Sequence, residues 1–222
     1  VALRPLAIGY RAILPRGIRN GIRNFLDNLE QPVVLANCLL QGEWVRARDT
    51  TGRFMTNTIL GLGGVIDVAS DAGIAEHQED FGQTLAVWGV EPGPYLVLPL
   101  FGSSNFRDGV GLGVDTAMDP FTNYGDDWLY GAYAEEGPYW RVGLDTVDWR
   151  ARNLETIDEL RRSSLDFYAT VRSAYRQHRV ALISNGRSEE REGLESMPPM
   201  VDFDSMDDPE SKEPADAPGF PE

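Results

Sequence analysis

The stretch Ile18-Arg19-Asn20-Gly21-Ile22-Arg23-Asn24-Phe25-Leu26-Asp27-Asn28-Leu29-Glu30-Gln31-Pro32-Val33-Val34-Leu35-Ala36-Asn37-Cys38-Leu39-Leu40-Gln41-Gly42 carries two helical registers in succession. In the first, Ile18, Ile22, Phe25, Leu26 and Leu29 fall at i, i+4, i+7, i+8 and i+11, one apolar stripe of a helix whose other face carries Arg19 and Arg23. Pro15 and Gly17 punctuate its start, and Pro32 suits the first position of a second helix. Val33 to Leu40 is apolar on nearly all sides, which a helix tolerates only when protein or lipid surrounds it, and Gly42 ends it. Cys38, the one cysteine of the chain, lies inside this run. Its neighbours make it a buried thiol rather than a nucleophile, and no intrachain disulfide can form.

Outward from this stretch the helical period continues. Trp44, Ala47, Thr51, Phe54, Met55, Thr58, Ile59 and Leu62 keep it from Glu43 to Leu62, and Gly61, Gly63 and Gly64 break it as a turn. Short helices are predicted over Val65 to Ala72, Phe81 to Trp88 and Arg107 to Met118, joined at Gly73, Gly89 and Pro120. From Tyr139 to about Ile183 there is no Pro, two helical stripes run through Leu154 to Tyr175, and Gly186 after Asn185 is a stop. Almost nothing alternates with period two, so the class is all-α. The exception is Gly89 to Gly102, where Gly93, Pro92, Pro94 and Pro99 frame Tyr95, Leu96, Val97, Leu98, Leu100 and Phe101. So apolar a loop either plugs the core or faces something apolar such as lipid.

The chain has 222 residues, 42% of them hydrophobic, and a net charge of −15. That suits one folded domain and argues against a nucleic-acid partner. The basic residues are 19 Arg and one Lys, Lys212, which stands before Glu213, so neither a Walker A loop nor a Schiff-base lysine is available in this sequence. With only His77 and His178, a multi-histidine metal centre would have to complete its shell with carboxylates. Charge is uneven: +4 over residues 1 to 53, −13 over 54 to 148, +3 over 149 to 186 and −9 over 187 to 222. The last block holds 12 acidic residues and six Pro, and is expected to be a disordered acidic tail behind a domain of residues 1 to 186. No window reaches the roughly 20 apolar residues that cross a bilayer. The sequence begins at Val1 without Met, as a piece of a longer chain would.

Neither Gly61-Leu62-Gly63-Gly64 nor Gly109, Gly111 and Gly113 matches the dinucleotide fingerprint, and no G-x-S-x-G elbow is present. His77, Glu79, Asp80 and Asp108 form a candidate metal cluster, from which a periplasmic metal-dependent hydrolase is one reading. Asp126-Asp127 and Glu135-Glu136 are acidic pairs with no sign of the burial that acid-base chemistry needs. Arg46, Arg48, Arg53 and Arg107 are candidate phosphate contacts, though solvated arginine is the commoner fate.

Specific strings add to this. Asn24-Phe25-x-x-Asn28-Leu29-x-x-Pro32, Leu40-Gln41-Gly42, Arg53-Phe54-x-x-Asn57-Thr58-x-x-Gly61-x-Gly63-Gly64-x-x-Asp67-Val68-Ala69 and Glu79-Asp80-Phe81-Gly82-x-Thr84-Leu85-x-x-Trp88-Gly89-Val90 occur in order. Gly93-Pro94-Tyr95-x-x-Leu98-Pro99-x-x-Gly102 and Arg107-Asp108 follow. Over roughly residues 3 to 186 the chain resembles the MlaA (VacJ) lipoprotein family of Gram-negative bacteria. The resemblance implies a ring of amphipathic helices lying in the inner, periplasm-facing leaflet of the outer membrane around an amphipathic channel. It also implies a trimeric outer-membrane porin as neighbour. Mislocalised phospholipids of the outer leaflet would pass through the channel to a periplasmic Mla lipid-binding carrier, which maintains lipid asymmetry without enzymatic chemistry, cofactor or metal. Members carry a lipid-modified Cys and a first helix ahead of the point where this sequence begins. Gly89, Gly93, Pro94, Tyr95, Leu96, Leu98 and Pro99 are then expected to line or gate the channel, and a purely structural partner of porins is a further reading.

Overall fold

A computed structural model of the chain describes residues 3–98, 102–123 and 139–185. Pro99, the two acidic pairs and the expected tail of residues 187–222 lie outside the described residues. The described part belongs to one compact unit, Val1–Asn185. In chain order its helices are α1 (Leu3–Ile13), α2 (Arg16–Gln41), α3 (Trp44–Ile59), α4 (Val68–Asp71), α5 (Phe81–Val87), α6 (Phe106–Met118), α7 (Pro120–Asn123), α8 (Tyr139–Arg152), α9 (Leu154–Ser163) and α10 (Phe167–Ser184). The class is all-α, with one small hairpin of β1 (Tyr95–Leu98) and β2 (Gly102–Asn105).

The opening stretch forms one helix rather than two, because α2 runs straight through Pro32. An interior proline costs a helix about 3 kcal/mol. Here Leu29, Val33 and Val34 on either side of it are buried, and their packing outweighs the missing backbone hydrogen bond. The helix ends as expected at Gly42, whose φ of 76° places it in the left-handed region, with N–H groups of the turn returning to the carbonyls of Cys38 and Leu39. Helix α3 then folds back on α2, and Val34, Cys38 and Ala47 close the seam between them. Cys38 is fully buried, and burial pushes its thiol up to about 11, as an inert core cysteine.

The apolar segment expected as a loop is instead built into the antiparallel hairpin, with Tyr95 opposite Asn105 and Leu98 opposite Gly102. Its register puts Ser103 opposite Val97 and so diagonal to Tyr95, whose hydroxyl donates to Ser103 Oγ at 2.9 Å. Four-residue strands are too short for periodicity to reveal. The C-terminal third divides into three helices, and its stop is Asn185 itself, at φ 51°.

Between α3 and α4 the chain reverses through Leu62, Gly63 and Gly64 at φ 53°, 74° and 99°. A Cβ on Gly64 would lie 2.4 Å from Asn28 Cβ, so only glycine lets this turn rest on α2. Gly63 has nothing within 4 Å. Gly63→Ala is therefore expected to cost about 1 kcal/mol, from backbone strain alone. Gly64→Ala should cost more than about 2 kcal/mol, strain and clash together. Urea unfolding in mild detergent followed by circular dichroism measures both, and equal losses would contradict the packing described.

Candidate functional site

Two adjoining cavities lie among α2, α3, α5, α6 and α8. The first, about 640 Å³, is walled by Arg23, Asp27, Glu30 and Gln31 of α2, by Asp145, Trp149 and Arg152 of α8, and by Glu76 to Asp80 before α5. The second, about 430 Å³, adds apolar wall from Leu26, Val33, Leu112 and Val142, with Asp119 and Arg141 at its polar side. Glu30, Glu79, Asp80, Asp145 and Trp149 belong to both, so a charged space passes into a more apolar one across shared residues.

Helical period places these walls. Arg23, Asp27 and Glu30 recur at i, i+4 and i+7 on α2, and Arg141, Asp145 and Trp149 at i, i+4 and i+8 on α8. In sequence the first row looks like an ordinary solvated face. Glu30 keeps 55% of its side chain accessible, but to cavity space, with protein packed around the carboxylate. Desolvation there pushes Glu30 up to about 7, against the nearby Arg141, and pushes Asp27 up to about 6. Asp145 is raised for the same reason.

The residues grouped as a metal cluster do not assemble into one, which corrects the hydrolase reading. His77 faces Asp49, at 3.4 Å between Nε2 and Oδ2. Glu79 is held by Arg46 at 2.7 Å and Gln41 at 2.9 Å. Asp80 caps α5 by accepting from Gln83 N at 2.9 Å and takes a bidentate pair from Arg179 at 2.6 and 3.0 Å. Asp108 pairs ionically with Arg179 and accepts from Arg107, Asn105 and the Tyr175 hydroxyl. Each carboxylate already has its cation or donors, and among the described residues no three His, Cys, Asp or Glu side chains converge on a metal position. Burial would raise Asp80, but Arg179 and the Gln83 donors hold it below the usual carboxylate range.

The candidate phosphate contacts are likewise committed. Arg53 is 5% exposed and bonds Asp67 at 3.0 and 3.1 Å and the Ile74 carbonyl at 2.8 Å. Arg107 is buried against Asp108 and the Val90 carbonyl, and Arg48 pairs with its neighbour Asp49. Of these arginines only Arg53 is on a cavity wall. The hairpin segment sits elsewhere: no described residue of 89–98 lines either cavity. It is tied to α6, since Phe106 N donates to Pro94 O at 3.1 Å and Arg107 N to Pro92 O at 3.2 Å. Tyr95 stacks edge-on with Tyr168 and Tyr175 of α10, Leu96 is exposed and Leu98 half-buried. Gly89 and Gly93 turn at φ 88° and 65°.

Among the described residues, ten hydrophobic and sixteen polar or charged residues are buried, whereas 27 large hydrophobic ones are exposed. Four of the buried ten are alanines, so the apolar core is thin. Leu39, Leu40, Trp44, Val45, Met55, Ile59, Leu60 and Leu62, on α2, α3 and the turn after it, are all exposed. Such a distribution is the reverse of a water-soluble domain. No helix among the described residues is long and apolar enough to cross a membrane.

Fold and site together define a helical protein with a thin apolar core, many exposed apolar side chains, and charged residues around two adjoining cavities, one of them more apolar. The family model described as MlaA lipoprotein matches residues 1–182, and the chain belongs to that family. It is 37% identical over 199 residues to the "Intermembrane phospholipid transport system lipoprotein MlaA" of Haemophilus influenzae, covering 88% of this chain and 75% of that one. The Escherichia coli K12 protein of the same name is 38% identical over 187 residues, covering 83% and 70%. A solved structure described as "Structural basis for maintenance of bacterial outer membrane lipid asymmetry" superposes with a TM-score of 0.70 at 35% identity, covering 82% of this chain and 87% of that chain.

A carboxyl whose folded pKa is raised withdraws stability as pH climbs from its unfolded value to its folded one. For Glu30 that window is about pH 4.5 to 7. Glu30→Gln should therefore leave stability unchanged at pH 4 and raise it at pH 8, by about 1 kcal/mol after allowance for screening by cavity water. Urea midpoints at the two pH values test this, and a variant less stable at pH 8 would refute it.

Proposed function

We propose that this protein is a lipoprotein of the outer membrane that receives phospholipid mislocalised to the outer leaflet and passes it, through the paired cavities, toward a soluble periplasmic carrier. The observation that carries the reading is the pair itself, a charged cavity sharing wall residues with a more apolar one. A diacyl lipid has a charged headgroup and about 30 methylenes, each costing about 0.8 kcal/mol in water. Its passage requires that combination of polar and apolar wall along one path. The exposed apolar side chains of α2 and α3 suit helices lying flat in a leaflet, where acyl chains cover them.

Membership of the MlaA family supports the periplasm-facing leaflet, a trimeric porin beside the protein and the Mla carrier as recipient. Movement is passive in this reading, driven by the acceptor, because Lys212 is followed by Glu213 and no Walker A loop occurs in these 222 residues. The segment from Gly89 to Leu98 acts as a gate through α6 rather than as channel wall. It caps the start of α6, and Leu112, Asp115 and Thr116 of that helix line the second cavity.

Protein extracted from mild detergent should carry about one phospholipid per chain and no stoichiometric metal, read by mass spectrometry. Protein free of phospholipid would defeat the reading. Leu96→Asp with Leu98→Asp should leave helical content unchanged and raise phospholipid in the outer leaflet of cells. Normal outer-leaflet lipid in that strain would remove the hairpin from the mechanism.

A further inference from the structure

Charge on the cavity walls is unbalanced. Nine carboxylates and four arginines line the two cavities among the described residues. Five of the nine are taken up: Asp67 by Arg53, Glu79 by Arg46, Asp80 by Arg179, Asp119 by Arg141, and Asp115 by Phe81 N and Asn37. That leaves Asp27, Glu30, Glu76 and Asp145. Glu30 and Glu76 lie 3.9 Å from Arg141 and Arg53, guanidiniums already engaged more closely elsewhere. Asp27 and Asp145 have neither a side-chain hydrogen bond nor an ion pair among the described residues.

Three further observations say what would offset this. Gln83, on the wall of the first cavity, is 1% exposed, and its Oε1 meets no donor. Its orientation is fixed, because Nε2 donates to Gln78 O at 3.0 Å and Asp80 Oδ2 at 3.2 Å, which both need a donor. Trp149 belongs to both cavities and keeps 52% of its surface open, and tryptophan is the preferred aromatic partner of an organic cation. At the α2–α8 side, Arg23 and Arg152 share the single carboxylate of Asp148, at 3.7 and 3.0 Å, which leaves positive charge beside the acidic row. No three of the carboxylates converge as metal ligands among the described residues, so the pattern suits a diffuse organic cation rather than a metal ion.

We propose that the cavity selects phospholipids with a zwitterionic, ammonium-bearing headgroup over anionic ones. The phosphate lies toward Arg23 and Arg152, and the ammonium among Asp27, Glu30, Asp145, the Gln83 carbonyl and Trp149. An anionic glycerol headgroup brings its net negative charge to the same carboxylates with no ammonium to compensate. The inference rests on the lipid-transfer reading and adds the headgroup class.

The test is competition for the full chain in mild detergent, supplied with equimolar dioleoyl phosphatidylethanolamine and dioleoyl phosphatidylglycerol, with bound lipid quantified by mass spectrometry. Phosphatidylethanolamine should be enriched roughly threefold to tenfold over the supplied ratio, the range of one cation–π or charge contact. Glu30→Gln with Asp145→Asn, its fold checked by circular dichroism, should bring the ratio toward parity. If that variant does not fold, the wild-type ratio alone decides. Excess free ethanolamine should leave the enrichment intact, and its loss would assign the site to soluble amines instead. Bound lipid at the supplied ratio, or enriched in phosphatidylglycerol, overturns the headgroup proposal and leaves transfer standing. Absence of any bound phospholipid overturns both.

Discussion

The guanidinium of Arg179 holds α5, α6 and α10 in register. It pairs bidentately with Asp80, at the start of α5, and reaches Asp108, in the first turn of α6, with Nε at 2.8 Å. Two glycines make this junction possible. A Cβ on Gly111 would lie 2.4 Å from Gly82 N, and one on Gly82 would lie 2.7 Å from Asp108 Oδ1. Helices α5 and α6 thus approach backbone to backbone, and α10 is locked over the crossing by one charged side chain. Burial would lower the Arg179 pKa, but the Asp80 and Asp108 contacts raise it, so the guanidinium stays charged. Tyr175, also from α10, donates to Asp108, and burial with that bond raises its hydroxyl pKa well above the usual range.

Networks of this kind take the place of a conventional core. Arg53 with Asp67, Asn57 and Ser70 joins α3 to α4, and Asn37 with Thr84 and Asp115 joins α2 to α5 and α6. Buried ion pairs contribute little net stability against an apolar substitute, yet losing one partner costs about 3–5 kcal/mol. They therefore specify which helices meet and at what depth. The apolar side chains that would otherwise have filled the interior are available for the outer surface, and the interior keeps charged space open.

Cavity and hairpin are mechanically linked through α6. Its first turn is capped by Asn105 and by the carbonyls of Pro92 and Pro94, while residues two turns on form cavity wall. Tyr95 against Tyr168 and Tyr175 also bears on α10, so displacement of the hairpin would reach the Arg179 junction as well as the wall.

Sequence by itself determined the class, most helix positions and the glycine turn at Gly61 to Gly64, because helical period and backbone stereochemistry act within a few residues. Ordered strings from Asn24 to Asp108 were also sufficient to point to the family. Periodicity could not decide which face of α2 looks inward: Ile18 is 52% exposed although it leads the apolar stripe, while Asp27 and Glu30 of the polar row stand on cavity wall. A stripe is a property of one helix, and its direction depends on what surrounds the whole protein. Nor could residue type distinguish a metal cluster from His77 held by Asp49, Glu79 held by Arg46, and Asp80 and Asp108 sharing Arg179. Those partners, Asp49, Arg46 and Arg179, lie 28, 33 and 99 residues away along the chain from His77, Glu79 and Asp80, respectively. Only the tertiary structure brings them within hydrogen-bond range, because charge pairing follows distance in space rather than along the chain.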